Sequence, residues 1–157
     1  MPVHTSISIG VNPKTGLALE PGILQVQGPV LQCAVMLDTR RAQALVQAGG
    51  SIPPPKPGRL LIDTGASMTS IERTVLQELG IPSIGDCQVK TPSGGETQQV
   101  YPCGLVFPGT KLPTIGNIFV LGANLLDQGI IGLLGRDMLR SCVFIFNGQG
   151  GEFTIAL

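Results

Sequence analysis

The stretch Leu60-Leu61-Ile62-Asp63-Thr64-Gly65-Ala66-Ser67 carries the most information about the fold. Its three apolar residues predict a short buried strand, and the small and polar residues after them predict a tight turn. The Asp63 carboxylate would then stand at the end of a rigid strand. An Asp-Thr-Gly triplet occurs by chance in about one chain in thirty of this size, and a structural turn is the simpler explanation, so the rest of the chain must decide between the two.

A carboxylate held on a rigid turn suits the activation of water. Two carboxylates about 3 Å apart cannot both be ionised, so they share one proton. The ionised carboxylate takes a proton from a bound water, and the protonated one donates to the carbonyl oxygen under attack. The Thr64 hydroxyl can hydrogen-bond across such a pair, and Gly65 leaves room for a substrate backbone. Asp63 is therefore a candidate for one half of a paired-carboxylate site.

A second informative segment, Ile130 to Leu139, follows later in the chain. Its apolar residues predict a strand that ends at Gly135, after which Arg136 and Asp137 open a short helix. We expect the Asp137 carboxylate to bind free backbone amides at the start of that helix. A catalytic Asp137 is the alternative.

Together the two segments resemble the retropepsin-like family of aspartic peptidases, the single-domain relatives of retroviral proteases. The resemblance covers roughly residues 23 to 157 and rests on the strings Asp-Thr-Gly-Ala-Ser and Leu-Leu-Gly-Arg-Asp-Met-Leu. It implies a mainly β fold, with a closed β-barrel, a flap hairpin and two or three short helices. It also implies that Asp63 is the catalytic residue and that the active-site turn is completed by Thr64, Gly65 and Ala66.

The resemblance further assigns a flap and a structural second motif. The predicted flap tip consists of Ser93, Gly94 and Gly95. The predicted second motif consists of Gly135, Arg136 and Asp137. Viral members often carry an acidic residue at the position of Ser67, where it pairs with the arginine of the second motif. Arg136 lacks that partner here, so the resemblance leaves its role open.

The chain contains one Asp-Thr-Gly motif, because Asp38-Thr39 is followed by Arg40. A two-lobed enzyme would need a second motif and about twice the length. The sequence therefore predicts a homodimer in which each chain contributes one Asp63 to a shared dyad, and the resemblance implies a polypeptide substrate. The resemblance implies that the terminal strands of both subunits form the dimer sheet. Residues 153 to 157 have a suitable alternation in polarity and would be an exposed edge strand in a monomer. Such a dyad predicts maximal activity on the acid side of neutrality.

The 157 residues predict a single domain, with an N-terminal extension at 1–22 and an inserted helix and proline-rich loop at 38–58. Extended segments are expected at about 3–11, 23–27 and 30–37, and a helix with a capping box at Thr69 is expected after the Asp63 turn. Later strands are expected at 103–107, 115–121 and 130–134. A hairpin at 88–101 and a last hairpin at 143–157 complete the predicted strands.

Composition excludes several other classes of protein. Lys plus Arg and Asp plus Glu each total 10, so the formal net charge is zero and no basic surface for nucleic acid is expected. Glycine and proline total 35 residues, which favours turn-rich β structure. No apolar stretch is long enough for a membrane helix, and no signal peptide is visible. Four dispersed cysteines and one histidine predict buried reduced thiols in a cytoplasmic protein, without a metal or cofactor.

Other sites fit the sequence poorly. The segment 129–135 lacks the Lys-Ser/Thr ending of a phosphate loop, and Thr64-Gly65 does not suit an aspartyl-phosphate enzyme. Ser67 has no credible histidine partner, because His4 lies in a predicted N-terminal strand. The strongest alternative is a retropepsin-like module that dimerises or binds peptides without cleaving them, since fold alone does not establish activity.

Overall fold

The computed structural model describes residues 1–7, 22–91 and 94–157. The described strands are β1 Val3–Ile7, β2 Val30–Met36, β3 Lys56–Ile62, β4 Ser70–Glu72, β5 Gly85–Thr91, β6 Gly94–Val106, β7 Ile115–Ala123, β8 Gly132–Leu134, β9 Val143–Asn147 and β10 Glu152–Ala156. The described α-helices are α1 Gly22–Gln27, α2 Thr39–Gln47, α3 Arg73–Glu78 and α4 Arg136–Leu139, and Leu126–Gln128 forms a 3₁₀ turn.

Six of these strands close into a barrel. The strands β2, β3, β8, β4, β7 and β6 are hydrogen-bonded in that order, and β6 pairs back with β2. Most neighbours are antiparallel, but β3 runs parallel to β8 and β4 runs parallel to β7. Strand β5 pairs with β6 alone and extends from the barrel as a hairpin. The predicted mainly β fold with a closed barrel is therefore confirmed.

The barrel interior is filled by aliphatic side chains from every side. The fully buried members of this core include Leu31, Val35, Leu60, Ile71, Leu105 and Val120. Two thiols, those of Cys33 and Cys103, lie in the same core, and burial raises the pKa of each to about 12. Both thiols therefore stay protonated and unreactive near neutral pH. All four cysteines are free, as the sequence predicts, although Cys87 and Cys142 are only half-buried.

The two ends of the chain meet in a separate three-stranded sheet. Strand β10 lies in its centre, between β1 and β9, and the Leu157 amide donates to the Pro2 carbonyl. Phe153 and Ile155 are almost fully buried. The expectation that residues 153–157 form an exposed edge is therefore wrong, because part of the predicted N-terminal extension covers that edge. Among the described strands, β1 and β9 are the outer strands of this sheet.

Two predictions about where helices lie were also wrong. Residues 23–27 form helix α1 rather than a strand, and Gly28 ends it with φ +72°. This accounts for four helices among the described residues where two or three were expected. After the Asp63 turn, Ser70–Glu72 forms strand β4, so Thr69 caps no helix. The Glu72 side chain instead caps α3 by accepting from the Thr74 amide.

Residues 37–55 separate β2 from β3, so the last three residues of the insertion expected at 38–58 belong to β3. The Asp38 side chain caps α2 by accepting from the Arg41 amide at 3.0 Å. Gly49, with φ +78°, and Gly50 end that helix, and the Gly50 amide donates to the Leu45 carbonyl. The proline-rich loop is shorter than expected, because β3 already begins at Lys56. Among the described residues, no helix is long and apolar enough to cross a membrane.

Candidate active site

The two sequence motifs meet at the ends of the parallel strands β3 and β8. Their register pairs Ile62 with Leu134, so the residues after each strand emerge at the same edge of the barrel. The Asp63 amide donates to the Leu134 carbonyl at 3.0 Å, which continues the strand pairing one residue further. Asp63 is thereby fixed at the point where the sequence predicted it, at the end of a buried strand.

The Asp63 turn is held by contacts within the motif itself. The Gly65 amide donates to Asp63 Oδ1 at 2.8 Å, and the Ala66 amide donates to the Asp63 carbonyl at 3.3 Å. A β-carbon added to Gly65 would lie only 3.0 Å from Asp63 Oδ1. Glycine therefore allows the backbone to approach the carboxylate closely. Asp63 is half-buried and Thr64 is exposed, so the turn faces solvent.

Arg136 ties the second motif to the Asp63 turn. Its Nη1 donates to the Thr64 carbonyl at 2.7 Å and to the Gly65 carbonyl at 2.8 Å. The Arg136 amide also donates to the Ala66 carbonyl at 2.9 Å. Because Ser67 is not acidic, the sequence left the role of Arg136 open. These contacts show that Arg136 binds the backbone of the Asp63 turn. The guanidinium acts on backbone carbonyls and fixes the turn on both sides of Gly65.

Asp137 does not cap its own helix, contrary to the expectation from sequence. Helix α4 has no side-chain cap, and Asp137 Oδ1 instead accepts from the Thr69 amide at 2.9 Å and from the Thr69 hydroxyl at 2.8 Å. Thr69 Oγ1 in turn accepts from the Gly135 amide at 3.1 Å. Asp137 therefore joins the two motifs, and its carboxylate is occupied by Thr69.

Thr69 is the site residue that sequence reasoning missed. Its side chain is fully buried, and it links both motifs through one hydroxyl. The sequence does show a threonine a few residues after the Asp63 turn, but its capping-box spacing to Glu72 suggested a helix start. Nothing local indicates that its partner lies 68 residues further along the chain.

Gly135 allows the two motifs to touch. A β-carbon at this position would lie 2.4 Å from the carbonyl carbon of Met68 and 2.8 Å from the Thr69 amide nitrogen. Both atoms belong to the backbone and cannot swing away as a flexible side chain can. Glycine is therefore required at Gly135 for packing, independently of any turn.

A cleft of about 410 Å³ opens beside the Asp63 turn. One side is formed by the turn from Gly65 to Met68, and another by the segment from Leu121 to Leu125. The β5–β6 hairpin contributes Val89, Glu96 and Gln98. The hairpin thus stands where a flap would be expected. At its tip, Gly94 and Gly95 are exposed, whereas Ser93 lies outside the described residues.

The lining of the cleft is largely polar. Of the apolar β7 residues Ile115, Ile118, Val120 and Leu121, only Leu121 lines the cleft. Val120 is fully buried in the barrel core. The walls include the polar and charged residues Ser67, Ser70, Arg73, Glu96, Gln98 and Asn124.

Glu72 anchors the wall of the cleft that the segment from Leu121 to Leu125 forms. Its Oε2 accepts from the Leu125 amide at 2.5 Å and from the Leu126 amide at 3.1 Å, and its Oε1 accepts from Thr74. Burial acts to raise the pKa of this carboxyl, but the hydrogen bonds from Leu125, Thr74 and Leu126 outweigh burial and lower the pKa. Glu72 is therefore an ionised, structural carboxylate that anchors the loop after β7.

Nothing in the described part of the chain resembles a metal site. No three His, Cys, Asp or Glu side chains in residues 1–7, 22–91 and 94–157 lie close enough to hold an ion.

The sequence model of a known family, described as aspartyl protease, matches residues 42–138. This match runs from α2 to α4, covers more than half of the chain and includes both motifs. The chain belongs to the aspartyl protease family. The resemblance to retropepsin-like peptidases, first suggested by the two motifs, is thereby confirmed.

One solved structure similar to this aspartyl protease is the solution structure of the simian foamy virus (mac) protease. The two are 18% identical, and the TM-score is 0.43. The match covers 71% of this chain and 92% of the viral chain. No curated protein matches the chain.

Proposed function

We propose that this protein is an aspartic endopeptidase that works as a homodimer, with Asp63 from each chain forming one catalytic dyad. The observation that carries the proposal is the Asp63 turn, which is fixed at the barrel edge and opens onto the cleft. In a dyad, one Asp63 would be ionised and would take a proton from a bound water. The other would donate its proton to the scissile carbonyl oxygen as the tetrahedral diol forms.

The state of the other carboxylates supports a dimer over a single-chain dyad. Asp137, the acidic residue of the second motif, has its Oδ1 occupied by the amide and the hydroxyl of Thr69. Glu72 is buried and hydrogen-bonded to the loop after β7. Asp137 and Glu72 are thus engaged in structural hydrogen bonds, which favours another chain as the source of the second member of the pair.

The terminal sheet offers a surface for that second chain. Its register places Val3, Ala156 and Val143 in one row, and Thr5, Thr154 and Ile145 in the next row on the same face. The side chains of Val3, Val143 and Ile145 are about half exposed, at 46%, 51% and 56%. An apolar sheet face of this kind is typical of an interface between copies.

Activity and assembly can be tested together. We expect cleavage of a mixed peptide library, a mass twice the 16.3 kDa of the monomer in sedimentation, and maximal activity on the acid side of neutrality. Ile145→Lys should give inactive monomers, because it buries a charge at the interface. Val26→Lys is the matched control, since Val26 is 86% exposed on α1, outside the sheet. A fully active monomer would contradict the shared dyad.

The alternative of a peptide-binding or dimerisation module without activity would appear as a dimer that cleaves nothing at any pH. The cytoplasmic location remains a prediction of the sequence.

A further inference from the structure

One cation in the cleft forms no ion pair among the described residues. Arg73, the first residue of α3, is half-buried and lines the cleft together with Ser70 and Asn124. Its Nη2 donates to the Gly122 carbonyl at 3.5 Å, the outer limit of a hydrogen bond. Its Nε is buried and finds no acceptor among the described residues.

No carboxylate of the described residues pairs with this guanidinium. The ion pairs in residues 1–7, 22–91 and 94–157 are Arg41 with Asp38 and Lys56 with Glu78. The neighbouring Glu72 carboxylate is occupied by the amides of Leu125 and Leu126. Because the Nε–H is buried, the donors left for a ligand are those of Nη1 and Nη2, one of which meets the Gly122 carbonyl.

Glu96 is the other charged residue of the cleft, and it does not neutralise Arg73. It lies on the exposed part of β6, and its Oε2 accepts from Gln98 Nε2 at 3.5 Å. An exposed charge is screened by water, whereas the half-buried guanidinium is screened less. The cleft therefore favours a negative group beside Arg73.

We propose that Arg73 is a specificity-determining residue that binds an acidic substrate side chain, Asp or Glu, close to the scissile bond. This inference rests on the proposed peptidase function and names its substrate class. The planar guanidinium matches the two oxygens of a carboxylate, and such charge-assisted hydrogen bonds are about twice as strong as neutral ones. A glutamine side chain at the same position would offer a single neutral oxygen.

The test uses pairs of peptides that differ only by Glu or Gln at one position around the scissile bond. For at least one position we expect the wild-type kcat/KM to be about tenfold higher for the Glu peptide. Arg73→Gln should bring the ratio to about one, and Arg73→Lys should retain part of the preference. Arg73→Glu should shift the preference towards a peptide with Lys at that position.

Arg40→Gln is the matched control for the loss of one positive charge. Arg40 is exposed on α2 and lines a different groove, so the Glu preference should persist in this variant. Equal kcat/KM values for Glu and Gln at every position, or a preference that survives Arg73→Gln, would overturn the subsite.

Binding to the Asp63→Asn variant separates this inference from the proposed function. We expect Glu peptides to bind this variant more tightly than Gln peptides, with Kd values measured by fluorescence anisotropy. The difference should disappear in Asp63→Asn/Arg73→Gln. Cleavage without a Glu preference would refute the subsite and leave the peptidase standing. Arg73-dependent binding without wild-type cleavage would support the subsite and refute the peptidase.

Discussion

Asp63 and Asp137 follow two strands that lie side by side, yet their carboxylates have opposite surroundings. Asp63 Oδ1 accepts one hydrogen bond, from the Gly65 amide, on a turn that borders a cleft. Asp137 Oδ1 accepts two, both from the buried Thr69. The comparison teaches that two carboxylates with the same position after a strand can differ in how many hydrogen bonds they accept and in how deeply their partners are buried.

The largest expected effect is the loss of peptide cleavage when Asp63, rather than Asp137, is substituted. Asp63→Asn should lower kcat/KM at least about a thousandfold, because the amide cannot accept a proton from water. Its free energy of unfolding should change little, since an amide oxygen can still accept from Gly65. Peptide cleavage and urea unfolding, measured on the same preparation, test both statements. Undiminished cleavage would mean that Asp63 is structural.

Gly135→Ala should break the contact between the two motifs. The added methyl group would overlap backbone atoms of Met68 and Thr69, so we expect the free energy of unfolding to fall by about 3 kcal/mol. Gly22→Ala is the control, because a β-carbon there meets nothing within 4 Å. Equal stability of the two variants in urea would show that the motifs can separate without cost.

Asp137→Ala should act on stability first and on activity only through the Asp63 turn. We expect a loss of about 2 kcal/mol, since the buried Thr69 amide and hydroxyl lose their acceptor. Thr69→Val should cost a similar amount, and the double variant should cost less than the sum. Additive losses in a double-mutant cycle would contradict a direct Asp137–Thr69 interaction.

The smallest expected effect concerns Glu72, a third carboxylate with a purely structural role. Its pKa is lower in the folded state than the ordinary value of 4.5, so the unfolded chain binds the proton first as the pH falls. The stability that Glu72 contributes is complete above pH 4.5 and is lost as the pH falls towards the folded pKa. Urea unfolding of wild type should show this loss, and Glu72→Gln should show less of it. An identical acid dependence would exclude Glu72 as its source.

The features that sequence predicted best are those fixed by neighbouring residues. The Asp63 strand and turn, the inserted helix that forms α2, and the 143–157 hairpin all follow from local patterns. The incorrect predictions concern residues whose hydrogen-bond or strand partners are distant in the chain. The pairing of Thr69 with Asp137 and the coverage of β10 by β1 join residues far apart in the chain. Helix α1 buries only Leu24 fully, so its short apolar pattern could not distinguish helix from strand.

The terminal sheet also sets the order in which the chain can fold. Strands β9 and β10 form a local hairpin, which can close within microseconds. The pairing of β1 with β10 joins Thr5 to Thr154, a separation of 149 residues, and must wait until both strands have left the ribosome. If copies associate through this sheet, a nascent chain has no completed surface to offer. Subunit assembly would then be restricted to chains whose synthesis has passed β10.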